Sequence, residues 1–129
     1  VKKIIQTDGA PAPVGPYNQA IAVQNVLYIS GQIAIEPASG KLMVDGTIEE
    51  ETHQVMKNIG EILSEAGTSY EHVIKCSVFV KDMNLYGRIN AVYGEYFNHD
   101  TAPARELVEV ANLPKFVNIE ISTIAILPE

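Results

Sequence analysis

The chain has 129 residues, 47% of them apolar, and no tryptophan, which fits one domain spanning residues 1–129 and leaves little for a second. No stretch approaches the ~20 apolar residues that a bilayer crossing needs, so no membrane partner is expected. A net charge of −7 repels a phosphate backbone and disfavours nucleic acid as the main partner.

Residues 2–6 form a possible short first strand, and "DGAPAPVGP" (8–16) reads as an extended approach segment rich in Pro and Gly. "YNQAIAVQ" and "VLYISG" read as two strands joined in a hairpin at Gln24 and Asn25. A polar loop over 36–46 follows. Thr47 with Glu50 is a capping box, and the glutamates behind it suit the start of a helix. Ile48, Val55, Met56, Ile59, Ile62, Leu63 and Ala66 then mark one helical face, which Gly67 closes.

"HVIKCSVFVK" is the next strand. Cys76 is expected on an apolar face with Ile74, Val78 and Val80, as a packing residue and not a nucleophile. As the only cysteine, it excludes an internal disulfide framework; with no export-type apolar segment visible, the expected compartment is the cytosol. Asp82 or Asn84 can cap a second helix whose face is Leu85, Ile89, Val92, Tyr93, Tyr96 and Phe97. "NHDTAP" breaks it, and strands over 104–111 and 116–126 complete an α+β order, β-β-β-α-β-α-β-β.

Two helices can cover only one face of such a sheet. "VNIEISTIAI" nevertheless carries apolar residues on both faces, with Ile119, Ile121 and Ala125 on one and Ile124 and Ile126 on the other. The uncovered face is therefore expected to meet another chain.

Two charges need a reason. Arg105 stands near the start of one late strand, on a face with Leu107 and Glu109, and Glu120 stands between isoleucines on the other. A semi-buried guanidinium either pairs with Glu109, Glu120 or a neighbouring chain, or grips a ligand carboxylate through its planar fork. His53, His72 and His99 are scattered and no metal-ligand spacing, phosphate cradle or nucleophile elbow occurs, so neither a metal nor a cofactor is expected. Ser30 reads as a strand-end hydroxyl bonded to the backbone.

The succession "APAPVGPYNQAI", "LYISGQIAIEPASGKL", "VFVKDMNLYGRINAVYGEYF", "APARELVEVANLPK" and "VNIEISTIAI" closely resembles the Rid family, the reactive intermediate deaminases, also called YjgF-like or endoribonuclease L-PSP proteins. The resemblance implies a chorismate-mutase-like mixed sheet with two helices on one face. It also implies a cytoplasmic homotrimer whose other sheet faces meet in a central barrel-like core, with active sites between subunits. The implied reaction is cofactor-independent hydrolysis of small 2-imino acids or their enamines, such as 2-iminopropanoate and 2-iminobutanoate, to 2-keto acids and ammonia. It assigns Arg105 to the substrate carboxylate and Glu120 to water activation, with Tyr17, Ser30, Gly31, Asn90 and Leu107 as substrate-binding residues. Glu106 and Leu107 replace a Ser-Cys pair common after the arginine, and Ser122 replaces a frequent second glutamate. The alternative function is a keto-acid-binding regulatory trimer without turnover. Ribonuclease activity, which one family name suggests, fits poorly with the acidic charge and the lack of a histidine pair.

Overall fold

The computed structural model describes residues 1–129. In chain order the elements are β1 (Lys3–Ile5), β2 (Ala20–Val23), β3 (Val26–Gln32), β4 (Ile35–Glu36), β5 (Lys41–Leu42), α1 (Ile48–Glu65), β6 (Val73–Val80), α2 (Tyr86–Tyr93), β7 (Ala104–Glu109) and β8 (Ile119–Ile126). Gln24 takes a φ of 55°, the positive value that a tight hairpin turn demands, and Val23 pairs with Val26 across it. The expected loop over 36–46 holds a small hairpin of its own, in which Glu36 pairs with Lys41.

α1 is built as its ends dictate. Glu50 N–H donates to Thr47 Oγ1 at 3.1 Å and Thr47 N–H donates to Glu50 Oε1 at 3.0 Å, which closes the capping box. At the other end Gly67 sits at φ 84°, its N–H bonded to Ser64 O and that of Thr68 to Leu63 O, so the last carbonyls are satisfied. Ile48, Val55, Met56, Ile59, Ile62 and Leu63 are buried, as the periodicity predicts. α2 is shorter than its pattern suggests. It stops at Tyr93, before Gly94, while Tyr96 and Phe97 pack on Tyr70 beyond its end. Asp82 caps a short 3-10 turn at Met83–Leu85 and not α2 itself.

Six strands form one mixed sheet in the order β1-β2-β3-β8-β6-β7, in which β7 lies parallel to β6 and the other pairs are antiparallel. Both helices pack on one face, over Leu27, Ile29, Cys76, Val78, Val80, Ile119, Ile121 and Ala125. The β6–β8 register shifts between Val73 and Lys75. Val73 therefore enters the core and Ile74 is exposed, which corrects the expectation that Ile74 shares the face of Cys76. No helix is long and apolar enough to cross a membrane.

The uncovered face is mixed and not simply apolar. Tyr28, Val108 and Ile126 are exposed on it, with Phe79 and Ile124 half-buried. Toward its β7 edge Lys75 lies 3.2 Å from Glu106, and Ser77 donates to the same carboxylate.

The entry to β8 is held by a buried acid. Glu51, 1% exposed, accepts from the N–H of Asn118 at 2.8 Å and from its Nδ2 at 2.7 Å. Two N–H donors satisfy a carboxylate that otherwise carries a heavy desolvation cost. Asn118→Ala removes one of them, and urea unfolding should show a loss of about 1–3 kcal/mol with an unchanged m-value. Wild-type stability in that variant would show that the contact contributes nothing.

Candidate active site

Side chains alternate across a strand, so register decides which residues can meet. Arg105 pairs with Cys76 and Leu107 with Val78 across β6–β7, which places both on the helix-covered side at the edge of the sheet. Glu120 pairs with Phe79 across β6–β8 and lies on the uncovered side. One chain therefore holds Arg105 and Glu120 on opposite faces of its own sheet.

The first cluster gathers around Arg105. Its Nη1 donates to Asn90 Oδ1 at 2.8 Å and its Nη2 donates to the Tyr86 hydroxyl at 3.1 Å. Its Cζ stands 4.9 Å from the centre of the Tyr93 ring. No carboxylate of the chain pairs with it. Glu109 instead accepts from Met83 N–H at 2.8 Å, and Glu120 is on the other face. Of the two alternatives for Arg105, a bridge to Glu109 or Glu120 is thus absent within the chain. Beside Arg105 opens a cavity of about 280 Å³ lined by Asn90, Tyr93, Phe97, His99 and Pro103. Leu107 is half-buried against the core and is not on the cavity wall.

Cys76 lies beneath this cluster, 1% exposed, with Sγ 3.8 Å from Thr123 Oγ1. Burial pushes its thiol up, the reverse of what a nucleophilic cysteine requires. Burial also raises the Tyr93 hydroxyl, which has no hydrogen-bond partner.

The second cluster surrounds Glu120. Ile29 pairs with Thr123 but Gln32 with Ile121, so Ser30 and Gly31 together face one residue of β8 in a bulge. The Glu120 carboxylate lies over Gly31, and a Cβ there would come within 2.8 Å of Glu120 Cδ. A side chain at 31 would push the carboxylate out of this position, before any ligand is considered. Ser30 Oγ donates to Asn18 O at 2.6 Å, the backbone bond expected of it. Tyr17, 46% exposed, shares a shallow hollow with Gly31, and its hydroxyl accepts from Val14 N–H at 3.3 Å. Glu120 has no hydrogen-bond partner, and desolvation raises its carboxyl above the usual carboxylate range.

The site residues named from sequence thus fall into two sets: Arg105 and Asn90, with Leu107 alongside, and Tyr17, Ser30, Gly31 and Glu120. Sequence reasoning passed over Tyr86 and read Tyr93 only as part of the apolar face of α2. Their spacing with Asn90, at i, i+4 and i+7, was the available signal for one helix face looking at one target. It also passed over Gln19, whose buried amide ties the approach segment in place. Gln19 accepts from Thr7 N–H at 2.7 Å and donates to Thr7 O at 3.0 Å and Pro11 O at 2.9 Å. No cluster of three or more His, Cys, Asp or Glu side chains is arranged to hold a metal ion.

Residues 7–127 match the family described as Endoribonuclease L-PSP. A RutC family protein from Synechocystis is 54% identical over 126 residues, covering 98% of this chain and 97% of its own. The mouse protein named 2-iminobutanoate/2-iminopropanoate deaminase is 44% identical, covering 98% of this chain and 92% of its own. The crystal structure of E. coli TdcF with bound serine superposes with a TM-score of 0.90 at 36% identity, covering 98% of this chain and 99% of that one.

Two measurements check this geometry. Native Cys76 should react with a thiol reagent only at the rate of unfolding, and at full speed in denaturant; fast native labelling would contradict its burial. Folded Glu120 keeps its proton to higher pH than unfolded Glu120 does. From about pH 4.5 upward, to the raised folded value, the native state binds more protons and stability falls as pH rises. Glu120→Gln should flatten that fall in urea unfolding series, and a slope equal to wild type would show that the carboxylate is not desolvated.

Proposed function

The chain belongs to the endoribonuclease L-PSP, or Rid, family, and from that membership and the two clusters we propose that it hydrolyses small 2-imino acids to 2-keto acids and ammonia. The observation that carries the reading is the state of Arg105: held by neutral acceptors, with no carboxylate of its own chain. A positioned and unneutralised guanidinium suits a ligand carboxylate. The deaminase name of the mouse relative and the serine bound to TdcF, itself an α-carboxylate, support the same chemistry.

In this reading the working site lies between copies, because one sheet separates its two halves. Arg105 of one copy holds the carboxylate of the imine, with Asn90 beside it and Leu107 packed behind it on the core. Glu120 of the next copy holds a water, with Tyr17, Ser30 and Gly31 shaping that wall. Water attacks C2 of the protonated C=N group while Glu120 takes one of the water protons, giving a neutral carbinolamine. Glu120 returns that proton to the nitrogen; the C–N bond breaks, ammonia leaves, and the hydroxyl proton passes to Glu120 as the oxygen becomes the keto group. A carboxyl pKa raised by desolvation suits a group that both accepts and returns a proton. The assembly proposed is a homotrimer in which the uncovered faces meet around the axis and the helices lie outside.

Ammonia and keto-acid release from iminopropanoate, generated in place by a serine dehydratase, tests the activity. The protein should speed it, and Arg105→Lys should fold and assemble normally yet lose most of it. The shared site is tested by mixing. Arg105→Lys and Glu120→Gln assemblies should each be nearly inactive. Trimers refolded from an equal mixture should recover up to about a quarter of wild-type turnover, the share of clefts that receive both intact residues at random. No recovery would refute a site between copies, and a mass of 14.1 kDa in dilute solution would refute the assembly.

A further inference from the structure

We propose that Tyr86 is a ligand-binding residue whose hydroxyl acts with Arg105 as a second donor to the bound carboxylate. The inference rests on the imine reading only for the identity of the ligand. Tyr86 opens α2 and is 42% exposed, so core packing does not account for a bulky aromatic there. Its hydroxyl oxygen accepts from Arg105 Nη2 at 3.1 Å, and its own proton has no acceptor in the chain. A hydroxyl whose lone pair faces a cation is polarised to donate more strongly, and its natural acceptor is an anion beside that cation.

The neighbouring residues fix this geometry. Asn90 Oδ1 holds Nη1 from the next turn of the same helix, and the Tyr93 ring underlies the guanidinium at 4.9 Å. Tyr86, Asn90 and Tyr93 thus cradle Arg105 from one face of α2. They take one N–H from each terminal nitrogen and leave the others without an acceptor in the chain. Asn90 serves here through Arg105, as a positioning residue; its Nδ2 and the buried Tyr93 hydroxyl also lack acceptors, but the Tyr86 hydroxyl is the exposed free donor whose own oxygen touches the guanidinium.

A merely aromatic role is separable from this one. The Tyr86 ring centre is 5.8 Å from Arg105 Cζ, and phenylalanine would preserve that contact. Tyr86→Phe removes only the oxygen, at an exposed position, and its urea midpoint should match wild type. Calorimetric titration with 2-oxobutanoate and with acetate, a bare carboxylate, should show Kd raised roughly tenfold or more in Tyr86→Phe, as for the loss of a hydrogen bond to a charged group. The side-chain 15N resonances of Arg105 in the ligand-free protein should also show faster guanidinium rotation in Tyr86→Phe. Kd within twofold of wild type for both probes would overturn the proposal. If acetate binds wild type and 2-oxobutanoate does not, the imine reading fails, and the acetate ratio alone decides the role of Tyr86. If neither probe binds wild type, both are refuted.

Discussion

Two helices cannot cover both faces of a six-stranded sheet, and most of what distinguishes this chain follows from that constraint. The helices cover the side that carries Leu27, Val78 and Ile121. The other side is left with Tyr28, Val108 and Ile126 exposed around polar residues. Because side chains alternate, every residue of β7 and β8 belongs to one side or the other. Arg105 falls at the edge of the covered side and Glu120 on the open side. The two groups with the greatest chemical potential therefore cannot meet within one chain, and a second copy is the simplest means of bringing them together.

The charges sort into those that hold structure and those left over. Arg88 forms a two-point pair with Glu49 between the helices, at 2.7 and 2.8 Å, and Lys75 pairs with Glu106 on the open face. Glu51 is wholly buried yet fully bonded to Asn118. Arg105 and Glu120 follow neither pattern. The guanidinium is oriented without being neutralised, and the carboxylate is desolvated without being bonded. Such arrangements are costly as structure and useful as chemistry, because an unneutralised group retains its affinity for a ligand.

Backbone devices hold Glu120 in that state. The bulge at Ser30–Gly31 turns a bare backbone toward the carboxylate. Glu51 anchors Asn118, two residues upstream on the same chain segment. Gln19 ties residues 7–11 to the start of β2 and so fixes the segment that carries Tyr17. These three features act on backbone hydrogen bonds.

Periodicity, capping and turn chemistry alone determined the order and type of the main elements of this protein, though not the small β4–β5 hairpin. The Thr47–Glu50 box, the Gly67 terminus and the Gln24–Asn25 turn act over a few residues, so their physics is local and legible. The excess of apolar strand surface over helical cover was equally legible, as was the presence of an arginine and a glutamate in want of a reason. Only the tertiary structure decided where α2 ends, that Ile74 leaves the core, and that Gly31 makes room for a carboxylate. It alone decided that Tyr86, Asn90 and Tyr93 converge on Arg105, and that Arg105 and Glu120 stand on opposite faces. All but the end of α2 depend on register between strands far apart in the chain. A one-residue shift in register reverses the face of every side chain, and such a shift leaves no mark in local sequence.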